Sequence, residues 1–106
     1  MPPLPKPKKK IPYEQATPAA IEALRQGLMA IVVYVLSNAR READLTQQDI
    51  AHALDCTAAV IANLETLRTP ISWADAIIWA ARCDMDEAEL FERFLIELRL
   101  RKARKR

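Results

Sequence analysis

Few side chains in this sequence have the type and spacing for covalent chemistry. His52 is the only histidine, and no ligand set at zinc-site spacing surrounds it, so no metal site is expected. Cys56 and Cys83 form no Cys-x-x-Cys pair and read as free thiols packed like small apolar residues. No Ser-His-Asp set, Cys-His set or paired-acid arrangement is visible, and a single glycine excludes a glycine-rich phosphate loop. A non-enzyme is expected, with no cofactor and no small-molecule substrate. The remaining chemistry is recognition: cations that neutralise phosphates, and amides that read base edges.

The cations are segregated. Lys6, Lys8, Lys9 and Lys10 lie in the head, and Arg99, Arg101, Lys102, Arg104, Lys105 and Arg106 in the tail. Between positions 11 and 98 only Arg25, Arg40, Arg41, Arg68, Arg82 and Arg93 face fourteen acids, a net charge of −8. Basic arms on an acidic body suit nucleic acid or an acidic partner surface, although charge runs also serve solubility alone. Pro2, Pro3, Pro5, Pro7 and Pro12 keep the head out of helix, so residues 1–12 read as a disordered or polyproline-like basic arm. Residues 13–98 form the helical domain, and residues 99–106 the basic tail. There the chain either continues the last helix or frays.

The elements that would position these groups are helices. One glycine, no alternating β-branched runs and a 51% hydrophobic composition point to an all-α fold of one domain. Thr17-Pro18 opens a helix whose stripe runs Ile21, Leu24, Leu28, Ile31, Val32, Val35, Leu36 and Ala39. Cap chemistry marks four further starts, at Thr46 with Asp49, at Thr57, at Ser72 with Asp75, and at Asp86 with Glu89. Helices are thus expected near 18–43, 47–54, 58–66, 73–83 and 87–102. The first is apolar all round between Leu28 and Leu36. Met29, Val33 and Tyr34 there are expected to face a second subunit, because one core covers only one stripe. That nine-residue run is far short of the ~20 needed to span a bilayer, so no membrane segment is expected. With no secretory signal read at the start of the chain, a reducing, cytoplasmic setting follows.

The stretch Leu45-Thr-Gln-Gln-Asp-Ile-Ala-His-Ala-Leu-Asp-Cys-Thr-Ala-Ala-Val-Ile-Ala-Asn-Leu-Glu65 resembles the helix-turn-helix of the Cro/repressor (XRE) family. Thr46-Gln47 matches its Ser/Thr-Gln opening, Ala51 its helix alanine, Thr57 its recognition-helix cap, and Ile61, Leu64 and Glu65 its closing positions. Ala80-Ala81 through Leu90-Phe91 looks like the family's final segment, and Arg40 falls where helix one of the family is often basic. Asp44, Asp55 and Asp84 replace family turn glycines; aspartate tolerates the left-handed backbone better than most residues.

The resemblance implies a five-helix repressor-like helix-turn-helix domain with a long N-terminal helix. It places Thr57, Ala58, Ala59, Ala62 and Asn63 on the major groove and Gln47 on the DNA backbone. Gln48 stands beside Gln47 in the same helix start, and Arg40, Arg41 and Arg68 are candidates for flanking phosphates. Lys8, Lys9, Lys10, Arg101, Lys102, Arg104, Lys105 and Arg106 would supply charge from the arms. Only Asn63 among the groove positions carries a full donor and acceptor. The expected function is therefore a dimeric regulator binding double-stranded DNA. The alternative is a protein-interaction module on the same scaffold that has lost base readout.

Overall fold

The computed structural model of the chain describes residues 17–104. Five helices follow one another: α1 (Pro18–Glu42), α2 (Gln47–Ala53), α3 (Ala58–Glu65), α4 (Trp73–Arg82) and α5 (Glu87–Arg104). No strand occurs among the described residues. The all-α expectation holds, and each boundary falls within two residues of its sequence-based position.

Local chemistry fixes both ends of these short helices. The side chains of Thr17, Thr46, Thr57, Ser72 and Asp86 accept from the backbone N–H three residues on, at 2.8–3.4 Å. At α2 the box is reciprocal, since Asp49 also accepts from Thr46 N–H at 2.8 Å. That backbone bond, then the Thr46 hydroxyl, holds the Asp49 carboxyl below its ordinary range.

Each of α1 to α4 stops by one device. The residue after the cap takes a left-handed backbone: Asp44 at φ 61°, Asp55 at 55°, Leu67 at 63° and Asp84 at 61°. The next N–H then returns to a carbonyl five residues back, as Leu45 to Arg40, Cys56 to Ala51, Arg68 to Asn63 and Met85 to Ala80. This is the Schellman closure, normally built on glycine. In three of the four the closing residue (Leu45, Cys56, Met85) is apolar and packs on or in the core.

α1 is the central helix. α3, α4 and α5 all pack against it, and it buries Ile31, Val33, Val35, Leu36, Ser37 and Ala39. Trp79 of α4 is fully buried and its indole N–H donates to the Leu36 carbonyl at 3.1 Å, which fixes the α1–α4 register. α5 runs antiparallel to α1. Arg93 pairs with Glu42 at 3.0 Å near one end, and the Arg101 guanidinium lies 5.1 Å over the Tyr34 ring further along. The Glu42 hydrogen bond is the main reason that the Arg93 guanidinium is held even more firmly protonated than usual.

Two expectations are corrected. Val33 is 5% exposed, so it belongs to the core and not to a subunit contact. Met29 packs partly buried against that core, while Tyr34 stays 47% exposed. Secondly, counting only the unbroken apolar run understated α1. It is a 25-residue helix with an 18-residue stretch of mean hydropathy 1.6, long and apolar enough to cross a membrane by length and composition alone. Its C-terminal half is instead packed among the other helices, while residues 22–27 are exposed.

Gly27 lies inside α1, and a Cβ built there meets no atom within 4 Å. Gly27→Ala should therefore stabilise the fold by roughly 0.5–1 kcal/mol, and Asp84→Gly, relieving the exposed left-handed position, by a similar amount. Urea denaturation of both variants checks this. A loss of stability in the first would mean that α1 bends or is tightly approached at Gly27.

Candidate nucleic-acid interface

The α2–α3 unit is held to α1 by a group of polar side chains withdrawn from water. Arg40, at the end of α1, and Glu65, at the end of α3, have side chains only 12% and 8% exposed. One Arg40 amine lies 3.3 Å from both Glu65 oxygens, and the other donates to the Leu45 carbonyl at 2.9 Å. Gln47, the first residue of α2, donates its amide to Glu65 Oε1 at 2.8 Å. Three helices thus meet on one carboxylate. Burial alone would push the Glu65 carboxyl up, but hydrogen bonds from Ser37 and Gln47 and the charge of Arg40 together hold it below its ordinary range.

This geometry revises two sequence-based roles. Arg40 and Gln47 were expected on DNA phosphates, yet the Arg40 charge is spent on Glu65 and the Gln47 amide is drawn inward. The physical reason is that a buried carboxylate needs full pairing, and these are the donors within reach. Arg41 and Gln48 are exposed neighbours on a shallow depression that also includes Thr46 and Asp44. They remain free to meet an anion.

α3 itself is anchored by Ile61 and Leu64, at 0% and 5% exposure. Its outer side carries exposed Thr57 and Ala59, with Ala58, Ala62 and Asn63 half-buried. The Thr57 oxygen is engaged by Val60 N–H in the cap. The Asn63 side chain makes no hydrogen bond among the described residues. Sequence reasoning missed Val60, 42% exposed between Ala59 and Asn63. On a 3.6-residue period Val60 falls at the flank of the Ile61–Leu64 stripe, where an aliphatic residue is only partly covered.

The other expected groups do not gather at α3. Arg68 lies beyond the helix on a groove of about 730 Å³ walled by Met29, Val32, Trp73, Phe91 and Phe94. Met29 and Tyr34 do not share a surface patch with Val33. Arg101, expected among the basic-arm cations, lies within α5, pairs with Glu97 at 3.1 Å and covers Tyr34. Lys102 and Arg104 are exposed on the same helix. They stand beside the N-terminal half of α1, whereas α3 packs at its C-terminal end. Lys8, Lys9, Lys10, Lys105 and Arg106 lie outside the described residues.

The thiols of Cys56 and Cys83 are half-buried and both are pushed up, chiefly by burial, so neither is primed as a nucleophile. No group of three His, Cys, Asp or Glu side chains converges as a metal site would among the described residues.

Because the folded Glu65 carboxyl lies below its ordinary value of 4.5, its stabilisation is complete above that pH. It is lost as the pH falls through the lower folded value. Thermal melts should show a steeper acid loss for wild type than for Glu65→Gln. Glu65→Ala at neutral pH, which strands the Arg40 charge, should cost about 3–5 kcal/mol. Equal acid slopes in wild type and Glu65→Gln would show that the pair is not coupled to folding. No protein-family model, curated protein sequence or solved structure matches the chain.

Proposed function

We propose that the chain is a DNA-binding regulator of the repressor-like helix-turn-helix type, acting as a dimer, with α3 laid against the major groove. The observation that carries the reading is the rigid α2–α3 pair. Two capped short helices are joined through a tight left-handed turn at Asp55, and both are bolted to α1 through Glu65. An outward helix held this firmly meets the geometric demand of groove reading, where side chains must arrive pre-positioned. Asn63 would supply the base contact, while Ala58, Ala59 and Ala62 allow close approach and methyl contacts with thymine. Arg41 and Gln48 would meet the backbone near α2. The α5 cations, displaced from α3 along α1, would serve flanking phosphates.

A second reading has one specific observation in its favour. Val60 is an exposed aliphatic residue on the outer side of α3, within a body of net charge −8. Such a surface suits a protein partner better than phosphates. A protein-interaction module on the same scaffold follows if DNA preference is absent.

Fluorescence anisotropy on selected and random duplexes, titrated with salt, separates the two. Under the DNA reading, affinity falls with a log–log slope of about −0.9 per phosphate neutralised. Asn63→Ala then weakens the preferred duplex by about tenfold or more while leaving the slope unchanged. Binding that is equal on all duplexes and indifferent to Asn63 would reject base readout by α3.

A further inference from the structure

α5 has two sides that treat charge differently. On its inner flank every arginine is matched: Arg93 with Glu42 and Glu89, Arg101 with Glu97. On the outer side Glu92 and Arg99 are exposed and make no ion pair among the described residues. Between them lie Leu95, half-buried, and Ile96, 49% exposed, and further out the small exposed residues Ala88 and Ala103. A charge of each sign, seven positions apart on one helix face with two aliphatic residues midway, is a pattern that complements itself when a second copy of the helix is laid against it end for end.

We infer that this face is the seam of a homodimer, in which α5 packs antiparallel on α5 of a second copy about a twofold axis between Leu95 and Ile96. In that register Leu95 of each copy meets Ile96 of the other. Glu92 and Arg99 each lie about 5 Å from the axis along the helix, at 1.5 Å per residue. Glu92 of either copy therefore faces Arg99 of the other, and the pair is made twice. Ala88 and Ala103 let the helix ends approach. An isologous seam must be complementary to itself, and an acidic half followed by a basic half meets that condition only when antiparallel.

The occupant is a second copy rather than an acidic protein because the face carries both signs in balanced register. A membrane surface is disfavoured likewise, since Glu92 would be set against anionic headgroups. α5 packs on α1 and α4, so the seam leaves the outer side of α3 open. The inference deepens the dimeric part of the proposed function and is independent of its DNA part. One helix pair buries area at the low end for specific interfaces, so a micromolar dimer is expected.

Sedimentation velocity of the full chain across the micromolar range is the test, with circular dichroism confirming that each variant folds. Wild type should show a monomer–dimer equilibrium. Glu92→Arg and Arg99→Glu alone should each weaken it about tenfold or more, because each introduces like charges at two symmetric places. The double variant Glu92→Arg/Arg99→Glu should recover dimerisation. An equimolar mixture of the two single variants should associate better than either alone, since their charges complement across the seam. A wild type that stays monomeric at high micromolar concentration overturns the inference. So does a dimer that neither single substitution weakens, or a mixture no better than its components. Loss of DNA binding with an intact dimer would reject the DNA reading and leave the seam in place.

Discussion

A carboxylate taken out of water must be met by donors, and at Glu65 the donors come from two other helices. Arg40 reaches it from α1 and Gln47 from α2, while the carboxylate itself terminates α3. The apolar contacts of Ile61 and Leu64 would tolerate some sliding of so short a helix, because burial is not directional. Hydrogen bonds to one charged group do not. The orientation of α3, and with it whatever that helix presents outward, follows from satisfying this group. Such pairs add little net stability over an apolar replacement, and their role here is placement.

The same arrangement explains why charges visible in the sequence are not all available at the surface. Arg40 reads as a free cation until its partner, 25 residues away, is brought beside it by folding. Clefts follow similar logic. The groove beside Trp73 and Phe91 exists because the N-terminal half of α1 runs beyond the part covered by α3 and α4, exposing side chains that a shorter helix would not have.

The fold was legible where local rules act alone. Thr17, Thr46, Thr57, Ser72 and Asp86 cap as their types require, and Asp44, Asp55 and Asp84 adopt the left-handed turns expected at positions where glycine is usual. Leu67 does so without any sequence signal. Val33 failed for a different reason. A helix apolar on two sides suggests a partner, and periodicity cannot tell a partner chain from another helix of the same chain. The candidate site was legible in part: position placed α3 outward, but which polar groups were consumed internally depended on contacts distant in sequence.

Ending four helices on non-glycine residues also changes the unfolded chain. Glycine is the most freely rotating residue, and this sequence has only one of them. Aspartate and leucine at the turns cost the native state some backbone strain, yet they narrow the conformations open to the denatured ensemble. The disordered chain is accordingly stiffer than a glycine-punctuated one of equal length, and less entropy has to be surrendered in forming each turn. For a domain of this size with short helices and mostly local contacts, turn closure should be an early and rapid event during folding. The helical hairpins would then be preassembled before the long-range pairing of Arg40 with Glu65 locks them together.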